Sequence, residues 1–189
     1  LLATLGIPFT IHKPDIDESQ HSGENPLDYV RRLSREKASH IAARLVDPAT
    51  VLAADTVVIL SADTMGIDEQ GDILGKPSDA AAARYMLQRL RGRTHQVCTA
   101  MTVITVGQHF KTPTTNSIIE VTQTHVIMRD YSDVEIERYV ATGDPFDKAG
   151  SYAIQHPVFQ PVARIDGCYA NVVGLPLCTL HNMLAVVGW

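Results

Sequence analysis

The feature that most constrains the fold is the apolar run over residues 51–60, V-L-A-A-D-T-V-V-I-L. A β-branched run of this length is typical of a central strand that is covered on both faces. Asp55 interrupts the run, and an ionised carboxylate there is costly unless a charge or a hydrogen bond compensates it. Two interpretations stay open: a structural aspartate bonded at the strand's end, or a carboxylate that handles metal or water at the carboxyl end of a strand.

Composition indicates a globular chain of a single domain. The chain has 189 residues, of which 45% are hydrophobic and 20% charged, and no apolar run approaches the roughly 20 residues of a membrane span. The net charge of −5 argues against a nucleic-acid polymer as partner. Three scattered cysteines without a C-x-x-C pair suit a reducing compartment, so a cytoplasmic location is expected.

Signals for helices and strands alternate along the chain, which predicts an α/β fold with a mixed sheet. The clearest helix starts at Pro26, because Asn25 can cap it and Asp28 favours the positive end of its dipole. Residues 61–71 are expected to form a polar loop that includes a hairpin turn. The remaining predictions are strands at 7–11, 96–106, 117–129, 151–155 and 159–165, and helices over 79–91 after a Ser78 cap, over 132–143 after a Ser132–Glu135 capping box, and from Pro176.

Lys37 lies on or beside the apolar stripe of the first helix. The stripe repeats at helical spacing and consists of Val30, Leu33, Ala38, Ile41, Ala42 and Leu45. Two interpretations of Lys37 stay open: an ammonium that reaches inward to a site, or a lysine that snorkels at the edge of the core.

Several common catalytic motifs are absent from the sequence. The stretch 71–77 resembles a phosphate-binding Walker A loop, but only three residues separate its glycines and Pro77 stands where Ser or Thr is needed. The histidines and cysteines do not have the spacing of a zinc site, and there is no G-x-S-x-G sequence.

Carboxylates and lysines therefore remain as the candidates for chemistry. They are Glu18, Asp55, Asp147, Lys37, Lys76 and Lys148. Carboxylates can hold Mg²⁺ through one or two contacts while substrate phosphates complete its coordination, and lysines neutralise phosphoryl oxygens. The residue types predict a metal-assisted reaction on a phosphate ester.

Five strings, taken together, resemble the Maf family of nucleoside triphosphate pyrophosphatases. They are A-A-D-T-V-V around Asp55, I-L-G-K-P at 73–77, G-R-T-H-Q-V at 92–97, the segment 135–150 that ends in D-P-F-D-K-A-G, and N-V-V-G-L-P-L at 171–177. The sequence Y-V-R-R-L-S-R-E-K at 29–37 and the pair D-E at 17–18 match the family too. The resemblance covers nearly the whole chain.

The resemblance implies a fold, a reaction and a cofactor. The expected fold is an elongated α/β single domain with a central mixed β-sheet, two lobes and a cleft. The expected reaction hydrolyses a nucleoside triphosphate to the monophosphate and pyrophosphate, with a divalent metal cation, Mg²⁺ or Mn²⁺. The expected partner is a small-molecule nucleotide, with no nucleic-acid polymer and no membrane, and a homodimer is left open.

The resemblance also assigns catalytic residues. Asp55 matches the family's proton acceptor, and Lys37 and Lys76 complete the expected catalytic set. The expected metal ligands are Asp55 and Glu18. Whether Asp55 acts as base, as metal ligand or as both is left open by the sequence.

Four positions are expected to bind substrate: Glu18, Thr56, Lys148 and Gln155. Thr56 and Gln155 fall on positions that separate branches of the family, and the D-T and I-Q pairs resemble the dTTP/UTP branch. The amide of Gln155 can pair with the O4 and N3–H edge of thymine or uracil.

The chain departs from the family pattern in two places. It starts inside the first helix, so residues 1–189 are expected to form a single domain that lacks its first strand and its S-x-S-P-R-R phosphate-binding loop. The usual G-I-Q-G is here A-I-Q-H at 153–156. Two alternatives therefore stay open: a nucleotide-binding regulator of septum formation without efficient turnover, and a pyrophosphatase of the 7-methyl-GTP branch.

Overall fold

A computed structural model of the chain describes Ala3, Gly6 and residues 9–45, 56–109 and 112–187, without the side chains of residues 45, 56–59 and 106–115. Its helices are α1 (Pro26–Leu45), α2 (Ala80–Leu90), α3 (Asp133–Val140), α4 (Tyr169–Val173) and α5 (Leu177–Val186). Its strands are β1 (Thr56–Ile67), β2 (Ile73–Leu74), β3 (Thr94–His109), β4 (Thr112–Met128) and β5 (Val162–Asp166). Two 3₁₀ turns, Asp144–Asp147 and Ala149–Ser151, follow α3.

The five strands form one sheet in the order β2-β1-β3-β4-β5. In the pair of β1 and β2, Gly66 faces Leu74 and the strands run antiparallel. The pair of β4 and β5 is antiparallel too, with Val126 facing Ile165. The predicted α/β class is confirmed, and both pairings with a described register are antiparallel, where the sequence analysis expected parallel and antiparallel pairs together.

The chain divides into two compact units, in agreement with the two lobes that the resemblance implies. The first unit contains Leu1–Asp63, Thr99–Thr122 and Gly174–Trp189, and the second contains Thr64–Cys98 and Gln123–Val173. The first unit has buried clusters on α1 and β3 and on β3 and α5, formed by Ala38, Ile41, Ala42 and Ile104 and by Met101, Val103, Leu180 and Met183. The core of the second unit includes Leu87, Leu90, Tyr131, Tyr139 and Phe159.

Local helix signals are confirmed where the sequence showed them. The Asn25 side-chain oxygen accepts the backbone N–H of Asp28 at 3.0 Å and caps α1. The Ser132 and Glu135 side chains and backbone groups bond reciprocally at the start of α3. The start of α2 is displaced by one residue from the prediction, because the Asp79 carboxylate and not Ser78 accepts the N–H of Ala82, at 2.8 Å.

β1 is longer at its carboxyl end than predicted. Residues 61–67, expected as loop, continue the strand, and Met65 and Ile67 are buried. The turn to β2 takes only residues 68–72, because the Asp68 carboxylate accepts the N–H groups of Gln70 and Asp72 at 2.9 and 3.0 Å. Residues 51–55, including Asp55, lie outside the described part of the chain.

Two predicted strands are wrong. Residues 9–11 have no regular structure, and residues 7 and 8 are not among those described. Residues 151–155 form the end of a 3₁₀ turn and a second turn, because their N–H groups bond to turn and side-chain acceptors. Ser151 N–H donates to Lys148 O at 3.1 Å and Ala153 N–H to the Tyr139 hydroxyl at 3.1 Å, so no strand ladder forms there. The sequence analysis also missed α4.

None of the helices in the described ranges is long and apolar enough to cross a membrane.

Candidate functional site

Lys37 on α1 lies between two carboxylates of the first unit. Its Nζ is 2.5 Å from Asp63 Oδ1 on β1 and 3.2 Å from Glu18 Oε1 in the loop before α1. The Lys37 and Asp63 side chains are each 15% exposed, whereas that of Glu18 is 58% exposed. We call these three residues the Lys37 cluster.

Burial and ion pairing act in opposite directions on the Lys37 cluster. Burial disfavours the Lys37 ammonium, but its hydrogen bonds and charge interactions with Asp63 and Glu18 outweigh burial and raise the pKa of Lys37. Burial raises the pKa of Asp63, against the hydrogen bond and positive charge of Lys37, which lower it. The ammonium is therefore held charged at a place where the side chain is largely shielded from water.

Hydroxyl groups hold α1 against β1 and β3 and so set the position of Lys37. Ser34, one turn earlier on α1, is fully buried, and its Oγ is 2.9 Å from Thr102 Oγ1. Ser61 Oγ on β1 donates to the Ser34 carbonyl at 2.7 Å. Since side chains three apart on a helix share a face, this attachment brings Lys37 to β1 two residues beyond Ser61, at Asp63.

A second set of contacts positions Glu18. The Tyr29 hydroxyl donates to the Glu18 carbonyl at 2.7 Å. Arg32 binds both carboxylate oxygens of Glu24, at 2.7 and 2.8 Å, and also donates to the Ser19 carbonyl at 3.0 Å. A bidentate arginine–carboxylate contact restrains orientation as well as distance, so the loop that carries Glu18 is held against α1.

Of the other predicted site residues, Lys76, Lys148 and Gln155 lie in the second unit, Thr56 lies in the first, and Asp55 lies outside the described part. Lys76 is exposed between β2 and α2. Lys148 Nζ bonds to Asp144 Oδ1 at 3.0 Å and Asp147 Oδ1 at 2.6 Å. Thr56 starts β1, and its side chain is not among those described.

Gln155 is exposed in the turn after the second 3₁₀ segment and lines a pocket of about 410 Å³. Arg164 on β5 and Tyr169 on α4 line the same pocket, together with His156. Amide, guanidinium and phenol groups combined with apolar walls suit a planar, polar ligand.

The structure thus brings together Glu18 and Lys37 and adds Asp63, which the sequence analysis missed. A signal for Asp63 was present, since the triplet A-D-T occurs twice, at 54–56 and at 62–64. The predicted loop over 61–71 concealed it, because a polar residue in a loop needs no special explanation.

The donor set of the Lys37 cluster fits a hard divalent cation. Carboxylate oxygens are the ligands that Mg²⁺ and Mn²⁺ prefer, and Mg²⁺ needs only one or two of them when substrate phosphates supply the rest. Glu18 and Asp63 each contact the same nitrogen, so both carboxylates are paired with the Lys37 ammonium. No group of three or more His, Cys, Asp or Glu side chains suited to a metal occurs among the residues that the structure describes.

Comparisons with known proteins agree on one family. A family model described as Maf-like protein matches residues 1–187. A dTTP/UTP pyrophosphatase of Citrifermentans bemidjiense is 40% identical over 188 residues, which cover 100% of this chain and 89% of the relative. Proteins of the same description from Thermomicrobium roseum and Myxococcus xanthus are 42% and 46% identical, over 100% and 94% of this chain and 79% and 81% of theirs.

Proposed function

Because the chain belongs to the Maf family, we propose that it is a nucleoside triphosphate pyrophosphatase that acts on dTTP or UTP. The observation that carries the proposal is the 40–46% identity, over nearly the whole chain, to relatives described as dTTP/UTP pyrophosphatases. The Lys37 cluster supports the proposal, because an ammonium can neutralise phosphoryl oxygens and carboxylates can bind a divalent ion.

In the proposed reaction, water attacks the α-phosphorus and the bond from that phosphorus to the α,β-bridging oxygen breaks. Pyrophosphate leaves with the electron pair of that bond, and a nucleoside monophosphate remains. Asp55 accepts the proton of the attacking water, and Lys37 and Lys76 neutralise negative charge on the triphosphate. Glu18 and Asp55 would hold the divalent cation, Mg²⁺ or Mn²⁺, which when bound lowers the pKa of water and screens phosphate charge.

The pocket beside Gln155 is the proposed site for the base. The Gln155 amide offers an acceptor and two donors to the O4 and N3–H edge of a pyrimidine, and the half-exposed ring of Tyr169 offers a stacking surface. A site that hydrogen-bonds one particular edge rejects an analogue without it far better than an apolar pocket does. The proposal therefore ranks dTTP and UTP ahead of 7-methyl-GTP and dATP, with Thr56 as a further substrate contact.

Lys148 is also proposed to bind the substrate, but only if it first gives up one of its carboxylate partners. Its ammonium already bonds to Asp144 and Asp147, so it binds the substrate only by exchanging a carboxylate for a phosphate oxygen. Such an exchange keeps the charge paired and is compatible with a phosphate-binding role.

The test of the proposed function is a panel of kcat/KM values with dTTP, UTP, 7-methyl-GTP and dATP, in the presence of Mg²⁺ or Mn²⁺. The expected products are monophosphate and pyrophosphate, with a pyrimidine substrate fastest. Asp55→Asn should lower kcat by about 10²–10⁴-fold at an unchanged melting temperature, since it removes a base but keeps the size of the side chain. Release of inorganic phosphate, or tight nucleotide binding without turnover, would contradict the proposal.

Base recognition is tested separately by Gln155→Ala. We expect the preference for UTP over dATP to fall about tenfold or more, while the rate with dATP changes little. Gln123→Ala is the matched control, because Gln123 is an exposed glutamine of the same unit on β4 and should leave the preference intact. A fall in the rates with all four nucleotides alike would argue against a base contact by Gln155.

A further inference from the structure

We propose that Asp63 is a positioning residue of the catalytic site, which holds the Lys37 ammonium where it meets the triphosphate. The inference rests on the proposed function and adds to it a residue that motif matching does not select. It follows from the Lys37 cluster, in which Asp63 and Lys37 form the shorter and more buried of the two ion pairs.

The N–H donors of the Lys37 ammonium have different partners. One donor is directed to Asp63 on the inner side and one to Glu18 at the surface, at 2.5 and 3.2 Å. A lysine ammonium has three donors and no acceptor. In the proposed site, we expect the third N–H to point at a phosphoryl oxygen of the triphosphate.

Burial separates Asp63 from an ordinary partner of a surface lysine. A lysine at the edge of a core extends its ammonium into water, whereas the Lys37 side chain is only 15% exposed and ends at an equally shielded carboxylate. A flexible lysine loses much rotamer freedom when it is fixed in this way. Positioning of this kind is useful in catalysis, because a charge that is already oriented needs no reorganisation when the transition state forms.

The sequence around Asp63 supports the same assignment. The A-D-T triplet that carries the family's acid at 54–56 recurs at 62–64, and the second copy lies in β1. The family motif selects the first copy, because the residues around it also match, as A-A-D-T-V-V. The contacts of Lys37 instead point to the second copy, and both Lys37 and Glu18 match the family. We infer that the site uses acids from both copies.

The competing explanation is that Asp63 and Lys37 form a structural ion pair that only attaches α1 to β1. The chain offers a matched control for it, namely Asp68, which lies directly after β1 and pairs with Arg89 on α2. The Asp68 side chain is 4% exposed, and Asp68 lies outside every proposed catalytic contact. Asp68→Asn therefore reports what the loss of a buried ion pair near the end of this strand does to the protein.

The experiment compares the wild type with Asp63→Asn, Asp63→Glu and Asp68→Asn. We measure kcat and KM with the fastest pyrimidine triphosphate, the melting temperature, and Kd for a dUTP analogue with an α,β-imido bridge. For Asp63→Asn we expect about a 100-fold fall in kcat/KM and about a tenfold rise in Kd. The loss of kcat/KM exceeds the loss of binding because the contact is strongest in the transition state. Asp63→Glu should recover at least tenfold of the lost kcat/KM, and Asp68→Asn should leave kcat/KM and Kd within twofold of the wild type.

Two results would overturn the role of Asp63: kcat/KM and Kd of Asp63→Asn within threefold of the wild type, or losses that Asp68→Asn reproduces at an equal fall in melting temperature. A wild type that binds the analogue but releases no pyrophosphate would refute the proposed function instead. In that case the Kd of Asp63→Asn alone decides on the positioning role.

Discussion

The imidazole Nε2 of His95 lies 2.9 Å from the hydroxyl oxygen of Tyr152, in the interior of the second unit. His95 is 2% exposed, and burial lowers its pKa from 6.5 to about 4, although the negative charge of Asp68 acts to raise it. The native protein therefore keeps His95 neutral at pH values where the unfolded chain protonates it.

This shift predicts a pH dependence of stability. Between pH 6.5 and about 4 the unfolded state binds the extra proton, so the free energy of unfolding should fall as the pH falls through this window. The contribution of His95 amounts to about 3 kcal/mol and is fully present above pH 6.5. Urea unfolding of wild type and His95→Phe should show that the variant lacks this slope. His125→Gln, at an exposed position of the same unit, should retain it, and equal slopes in wild type and His95→Phe would contradict the prediction.

Gly167 precedes α4 and should not tolerate a side chain. Its φ is +132°, and a Cβ there would lie 2.9 Å from Thr124 Oγ1 and 3.1 Å from the Thr124 Cα. Thr124 Oγ1 also accepts hydrogen bonds from Cys168 N–H and Asn171 Nδ2. We expect Gly167→Ala to lower the free energy of unfolding by about 2–4 kcal/mol, from backbone strain and overpacking.

The control for Gly167 is Gly71→Ala, also at positive φ but with no atom within 4 Å of the added Cβ. Gly71→Ala should lower the free energy of unfolding by only about 1–2 kcal/mol, which is the cost of a left-handed backbone conformation for a residue with a Cβ. If chemical denaturation gave equal losses of the free energy of unfolding for Gly167→Ala and Gly71→Ala, the contact with Thr124 would contribute nothing to the cost.

The first turn of α2 allows a test of capping. Asp79→Ala should lower stability by about 1 kcal/mol, because the Asp79 carboxylate accepts the N–H of Ala82. Ser78→Ala should change stability by less than about 0.5 kcal/mol, since Ser78 is exposed and does not cap the helix. Melting temperatures of the two variants check the order, and a larger loss for Ser78→Ala would show that the cap is misassigned.

Arg32 should act on activity through the loop that carries Glu18. Arg32→Lys keeps the charge but loses the two-pronged contact with Glu24, and we expect a loss of about 1–2 kcal/mol in stability. Because Ser19 is fastened by the same guanidinium, kcat/KM should fall severalfold as well. Arg84→Lys is the control, since Arg84 forms an exposed ion pair with Glu137 in the other unit. If Arg32→Lys had the activity of the wild type, the loop that carries Glu18 would not contribute to activity through Arg32.

Much of the protein could be predicted from the sequence, because many of its signals are local. Asn25 before Pro26, the Ser132–Glu135 box and Pro176 before α5 each start a helix where they were expected. A cap satisfies backbone groups within one turn, so it needs no information from distant residues. The family strings are local too, and they identified the family that the comparisons report.

Only the tertiary structure decided which carboxylate meets Lys37 and where β1 ends. The residues around Asp63 indicate a loop and those of 151–155 indicate a strand, because such local patterns reflect only immediate neighbours. The strand over 61–67 exists because β1 lies between β2 and β3 in the sheet and buries Met65 and Ile67, and the turn at 151–155 exists because Tyr139 and Lys148 supply its acceptors. Contacts between elements supply much of this pairing and burial, so the sequence by itself determined the helix starts and the family, and packing determined which carboxylate meets Lys37.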